Sequence, residues 1–203
     1  IMLMECIDGY DLRRLLHPRM LKRFEERVSG EDRRKISTVV VTDGIDQARI
    51  QPGAAVSIIR HCLEGLKTLH SLGILHGDLK PANIMVCETD KGPQPKIIDF
   101  GIAKATQRGL TEQSVFTELG QWIGTPEYMS PEQAEMTTLD VDTRTDVYSL
   151  GVVLYEMLVG RRPVTASSKR EILEQVKFGE VKPLRQINVS VSTPWLPVSS
   201  TDV

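Results

Sequence analysis

Cysteine is scarce in this chain: Cys6, Cys62 and Cys87 lie far apart, form no Cys-x-x-Cys pair and are odd in number. That excludes a disulfide frame and a paired-cysteine zinc site, and it points to reduced thiols in or near a core, in a reducing compartment. An excess of either charge is also missing, with 25 Lys and Arg against 27 Asp and Glu. Nothing in that balance invites nucleic acid or an anionic membrane surface. Long apolar runs are absent as well; the longest, 150–159, is too short to span a bilayer and holds Glu156. The opening residues Ile1-Met2-Leu3-Met4 follow no basic stretch, so no secretory leader is expected in this segment. The expected location is cytoplasmic, with an anchor outside the segment left open.

What is present is ordinary globular material. Apolar residues make up 40% of the 203 and charged residues 26%, enough for one domain with a buried core. Residues 1–4 suit a buried strand that empties into a turn at Asp8-Gly9. Asp11 is placed to cap a short helix at Leu12–Leu16, which Pro18 interrupts. Mixed charges over 19–35 read as a solvated face, and 36–50 as a loop with a strand at Val39-Val40-Val41. Over 53–71, Val56, Ile59, Leu63, Leu66 and Leu69 recur at helical spacing and predict a long helix with a buried stripe, stopped by Gly73. Strands at 84–86 and 96–98 flank a hairpin-type connection. A second long helix is predicted over 144–158, apolar nearly all round and so central, and a shorter amphipathic one over 171–178. The last twenty or so residues, rich in Ser, Thr, Val and Pro, read as a loosely held tail. No internal repeat is visible.

Chemistry concentrates in His76-Gly77-Asp78-Leu79-Lys80-Pro81-Ala82-Asn83 and, after the hairpin, Asp99-Phe100-Gly101. Phosphoryl transfer from a nucleotide needs an in-line hydroxyl, neutralised phosphate oxygens and fixed metal ions more than it needs covalent help. Asp78, Lys80, Asn83 and Asp99 supply a carboxylate, an ammonium and two hard oxygen ligands on a loop–hairpin–loop layout that can converge. Magnesium favours such oxygen donors together with phosphates. His76 is read as a buried packing and hydrogen-bonding residue, and Asp146 as an N-cap that anchors the catalytic-loop backbone.

The same residues resemble a known family. His76 to Asn83 resembles the protein-kinase catalytic loop H-R-D-L-x-x-x-N, Asp99-Phe100-Gly101 its D-F-G, and Ser130-Pro131-Glu132 its A-P-E. Gly124-Thr125-Pro126-Glu127-Tyr128-Met129 resembles the substrate-binding end of a serine/threonine kinase activation segment. Asp146-Val147-Tyr148-Ser149-Leu150-Gly151 resembles the start of the large lobe's central helix, and the run from Met4 to Leu12 resembles the hinge. The wording is closest to bacterial serine/threonine kinases, and the likeness covers residues 1 to about 180 apart from an extra stretch near 19–50. It implies an α+β, protein-kinase-like fold: a mostly helical C-terminal lobe with a small β-hairpin sheet. It also implies a partial kinase domain at 1–182, hinge and large lobe, and a divergent tail at 183–203.

The resemblance implies roles too. Asp78 would orient the acceptor hydroxyl and take its proton, Lys80 would touch the γ-phosphate of ATP, and Thr125 would bridge towards Asp78. Asn83 and Asp99 would hold magnesium. Met4 would be the gatekeeper, backbone groups of Glu5 and Ile7 would meet the adenine edge, and Met85 would form its floor. The implied partner is a protein carrying a Ser or Thr acceptor. Two other readings stand beside this one: a small-alcohol phosphotransferase of the aminoglycoside or choline kinase type, which shares His-Gly-Asp, and a non-catalytic kinase-like binding module.

Three departures qualify the resemblance. The small lobe's Gly-rich loop, V-A-I-K lysine and pairing glutamate do not occur in the sequence, so the chain by itself is expected to bind ATP poorly. Glu132 is expected to lack the distal arginine it pairs with in the family, either as a costly buried charge or solvated. Gly77 stands where the family has the arginine that receives an activation-loop phosphate. Phosphorylation of Thr111, Ser114 or Thr117 should therefore matter little. With all three changed to alanine, in a protein that joins this chain to a small lobe, peptide turnover should stay near the parent rate; a collapse of the rate would refute this.

Overall fold

The computed structural model describes residues 10–17, 40–43, 47–89, 92–99, 104–105, 125–135 and 141–187. In chain order these form β1 (Tyr10–Asp11), α1 (Leu12–Leu16), β2 (Val40–Asp43), β3 (Gln47–Ile50), α2 (Pro52–Ser71), β4 (Ile74–Leu75), β5 (Ile84–Thr89), β6 (Gly92–Ile97), β7 (Lys104–Ala105), α3 (Pro131–Ala134), α4 (Thr143–Val159), α5 (Lys169–Phe178) and α6 (Leu184–Ile187). Single 3₁₀ turns sit at Pro81–Asn83 and Pro126–Tyr128. The architecture is α+β, mostly helical, with small antiparallel sheets ordered β1-β5-β6, β2-β3 and β4-β7 among the described residues.

Local signals set the helix ends. The Asp11 carboxylate accepts from the Arg14 amide at 3.0 Å, which satisfies one of the free donors at the start of α1. Proline opens α2, where its missing N–H costs nothing, and Gly73 ends it with φ +70, a left-handed conformation that glycine adopts without strain. Asp142 caps α4 by accepting from the Arg144 amide at 2.8 Å, and Gly160 closes the helix in the left-handed region.

The main core gathers α1, β3, α2 and α4, with Leu12, Ile50, Leu66, Leu150, Val153 and Met157 all essentially sealed from solvent. Leu79 and Ile84, on either side of the 3₁₀ turn at 81–83, are in the same core, so the loop between them is pinned by its apolar residues. A smaller cluster joins Met129, Ala134 and Val164 to Ile172, Leu173 and Val176 of α5. Cys62 and Cys87 are buried thiols, as expected; burial pushes the Cys62 thiol up to about 12, so at neutral pH it is a packing group. No helix among the described residues is long and apolar enough to cross a membrane.

Several expectations need correction. The buried stripe of α2 is Ala55, Ile58, Cys62 and Leu66, with Ile59 and Leu69 partly buried; Val56 and Leu63 are 46% and 42% exposed. Small Ala55 and Cys62 thus lie in the shared core while the larger Val56 and Leu63 do not. The stretch 36–50 holds a hairpin, with Val40 paired to Ile50, and Ala48 and Ile50 entering the core. The strands of the other hairpin reach further than expected, to Thr89 and from Gly92, so Pro93 and Pro95 lie inside β6. They are tolerated because β6 is an edge strand in which a missing N–H breaks no inner ladder.

One carboxyl lies among the apolar residues of α4. Glu156 is 6% exposed, and the Tyr128 hydroxyl donates to its Oε2 at 2.6 Å. Burial raises its pKa above the ordinary 4.5; the Tyr128 bond and the charges of Arg162 and His17 pull the other way, while Glu127 adds to the rise. Burial, and then the charge of Glu156, likewise raise the pKa of Tyr128. The folded state therefore holds a proton on Glu156 above the pH at which the unfolded chain loses it. That contribution is complete below the unfolded value and is lost as pH rises through the folded one. Glu156→Gln keeps an acceptor for Tyr128 and removes the ionisation. Urea unfolding from pH 4 to 7 should show the variant gaining on the parent as pH rises, by up to about 1.4 kcal/mol per pH unit within the window. Parallel stability curves would count against this.

Candidate active site

The loop 76–83 is held backbone first. Asp146 lies in the first turn of α4 with 0% exposure, and both carboxylate oxygens face the loop. Oδ1 accepts from the Gly77 amide at 2.8 Å; Oδ2 accepts from the His76 amide at 3.0 Å and from His70 Nε2, at the end of α2, at 2.8 Å. Asp146 thus anchors the loop as expected but does not cap the helix, since Asp142 does that work four residues earlier.

His76 is fully buried, and both ring nitrogens are committed. The Asp78 amide donates to Nδ1 at 3.3 Å, so Nε2 carries the proton that goes to the Ile98 carbonyl at 3.2 Å. This is the buried packing and hydrogen-bonding histidine the sequence suggested, with both ring nitrogens engaged in holding the loop. Gly77 adopts φ +74 with nothing near the position a Cβ would take, so its constraint is conformational rather than steric. Its carbonyl accepts from Gln133 Nε2 at 2.9 Å.

Beyond Gly77 the polar side chains meet. Lys80 Nζ donates to Asp78 Oδ2 at 2.6 Å and to Thr125 Oγ1 at 3.1 Å, linking positions 45 residues apart. Thr125 therefore reaches Asp78 through the lysine. The ion pair is about one-quarter exposed on both sides, which leaves it open to a ligand. Asn83 Nδ2 donates to the Asp78 carbonyl at 2.9 Å, so the oxygen end of the amide is the end left for a cation. The Ile98 amide donates to the Asn83 carbonyl at 2.9 Å, which continues the register Ile84 to Ile97 and sets Asp99 just beyond Asn83. Asp99 is exposed and has φ +48, the sole non-glycine residue with positive φ among those described. Such conformations cluster at functional sites. Met85 is half-buried on β5, opposite Asp11 and Lys96. Met4, Glu5 and Ile7 lie outside the described residues, as do Phe100, Gly101, Thr111, Ser114 and Thr117.

The segment 125–135 hangs on α4. Ser149 Oγ donates to the Tyr128 carbonyl at 2.7 Å, Tyr128 reaches Glu156, and Arg162 pairs with Glu127 at 2.6 Å. Ser130 caps α3 in a reciprocal box with Gln133. Glu132, expected to lack its arginine, is half-buried and accepts from Thr145 Oγ1 at 2.9 Å, so a hydroxyl is its partner. Residue-by-residue reading gave no role to His70, Gln133, Ser149 or Arg162. Most of their partners lie far away in sequence, where local pattern carries no signal.

With this geometry in view, the chain matches the family model described as "Protein kinase domain" over residues 1–202. It is 39% identical over 184 residues to serine/threonine-protein kinase PknB of Mycolicibacterium smegmatis, covering 90% of this chain and 24% of that protein. Against serine/threonine-protein kinase pkn2 of Myxococcus xanthus it is 39% identical over 133 residues, 66% of this chain and 16% of that protein. Against PknB of Mycobacterium tuberculosis it is 42% identical over 124 residues, 61% of this chain and 18% of that protein. The chain thus spans a quarter or less of the length of these curated relatives.

Asp146→Asn turns one acceptor into an amide that faces N–H donors. The expected cost is about 1–3 kcal/mol or more, because a buried donor is left unsatisfied. A fall in the urea midpoint at unchanged slope would measure it, and an unchanged midpoint would contradict the anchoring described.

Proposed function

The chain belongs to the protein kinase domain family, and from that premise we propose that the protein carrying it transfers the γ-phosphoryl group of ATP to Ser or Thr hydroxyls of proteins. One observation carries the reading: Lys80 Nζ bridges Asp78 Oδ2 and Thr125 Oγ1, so the carboxylate, the ammonium and the 125–135 segment share one point. Here Asp78 orients the acceptor hydroxyl and takes its proton, and Lys80 steadies negative charge on the transferred group. Thr125 shapes the side of the pocket on which a protein substrate lies. The 125–135 segment favours a protein acceptor over a small alcohol, because it is a broad, anchored surface beside the reacting carboxylate.

The donor set fits magnesium. Asn83 turns its oxygen end away from the loop carbonyl, Asp99 is an exposed carboxylate one register step beyond, and both are hard ligands. Among the described residues no three His, Cys, Asp or Glu side chains gather as a metal cage, and an ion held by two side chains and phosphates needs none. When bound, magnesium neutralises phosphate charge. Met4, Glu5, Ile7 and Met85 form the adenine side of the same proposal, with 1–182 as hinge and large lobe and 183–203 as a divergent tail.

In a protein that joins this chain to a small lobe, Asp78→Asn should lower phosphate incorporation into a Ser/Thr peptide by about 10²–10⁴-fold with little change in Mg-ATP thermal stabilisation. Asp99→Asn should remove the magnesium-dependent part of that stabilisation. Full transfer by Asp78→Asn, or transfer to choline or an aminoglycoside in preference to peptide, would overturn the reading.

A further inference from the structure

Gly77 is the most permissive residue in the candidate loop, and it sits immediately before Asp78. Left to itself, its backbone would let the Asp78 carboxylate swing. Three successive peptide groups are nevertheless tied down. The amide entering Gly77 donates to Asp146 Oδ1 at 2.8 Å, the Gly77 carbonyl accepts from Gln133 Nε2 at 2.9 Å, and the Asp78 carbonyl accepts from Asn83 Nδ2 at 2.9 Å. The first tie comes from α4 and the third from the loop itself. Only Gln133 belongs to the 125–135 segment.

Gln133 is also half of a helix cap. Its Oε1 accepts from the Ser130 amide at 3.1 Å while the Ser130 hydroxyl accepts from the Gln133 amide at 3.4 Å. One side chain therefore uses its acceptor end to close α3 and its donor end to hold the peptide plane that precedes Asp78. Ser130 is fully buried and bonded to Thr145 of α4 at 3.3 Å, so the cap is not a fraying helix end but a fixed mount. We propose that Gln133 is a positioning residue: it sets the Gly77–Asp78 peptide from the substrate side and couples the 125–135 segment to Asp78 without a phosphate. The inference rests on the kinase reading for its catalytic consequence but not for its structural one.

The two ends of the side chain can be separated. Gln133→Glu keeps the acceptor for Ser130, since a capping box takes either residue, and replaces the donor with an oxygen that repels the Gly77 carbonyl. Gln133→Lys does the reverse, keeping a donor and losing the cap. Amide hydrogen exchange is measured on the chain and both variants at Asp78, with Val153 of α4 as internal reference. Peptide phosphorylation is measured in parallel on a protein that joins the chain, or each variant, to a small lobe. In Gln133→Glu, exchange at Asp78 should quicken about tenfold with Val153 unchanged. Peptide KM should rise or kcat fall by a similar factor while the nucleotide Kd holds. In Gln133→Lys, protection at Asp78 should persist although α3 frays.

Equal exchange at Asp78 in Gln133→Glu and the parent overturns the proposal. So does loss of Asp78 protection in Gln133→Lys, which remains the deciding variant if Gln133→Glu does not fold. Parent-like phosphorylation by a Gln133→Glu protein with altered exchange overturns the coupling and leaves the kinase reading intact. A parent joined to a small lobe that still transfers no phosphate, with exchange altered as expected, refutes the kinase reading and leaves the anchoring role of Gln133 supported.

Discussion

The Asp146 carboxylate is the point on which the rest depends. A fully buried charge is expensive, and it persists only where donors replace the water it gave up. Here backbone N–H groups of His76 and Gly77 and the ring of His70 do so, from the loop and from the end of α2. The charge sits in the first turn of α4, where the helix dipole also favours a negative group. One side chain thereby fastens the loop to the two longest helices. Because its partners are mostly main-chain atoms, the loop's path is set independently of which side chains it displays.

The 125–135 segment repeats the arrangement further along α4. Ser149, Glu156 and Thr145 each meet a group from it, and Ile172, Leu173 and Val176 of α5 pack beneath Met129 and Ala134. α4 therefore serves as a common beam, with apolar residues turned to α2 and polar ones placed where a loop crosses it. The loop and the substrate-side segment are registered to the same rigid body. Lys80 and Gln133 then need only span the short gap between them.

Much of this was legible in the sequence where the information is local. The Asp11 cap, the Gly73 stop, the two long helices and the hairpin after Asn83 all follow from residue types at short spacing. The family resemblance implied that Thr125 bridges towards Asp78, and the hydrogen bonds link the two through Lys80. Errors arose where the answer depends on a distant partner. The face of α2 was assigned from the helical spacing of Val56, Ile59, Leu63, Leu66 and Leu69, yet Ala55 and Cys62 are buried and Val56 and Leu63 are not. Asp146 and Asp142 are both acidic residues near a helix start, and only the loop's position separates cap from anchor. β3 was missed although Ala48 and Ile50 alternate with polar neighbours, since four residues are too few for period two to stand out.

The β2–β3 hairpin carries a lesson for anyone trimming the chain. It occupies a stretch that looks dispensable in sequence, yet Val40, Ala48 and Ile50 share one apolar interior with Leu12, Leu15 and Leu16 of α1. It behaves as a plug rather than an ornament. Excising it would strip the cover from α1, and through β1, which α1 adjoins, would loosen the outer edge of the sheet that carries Met85.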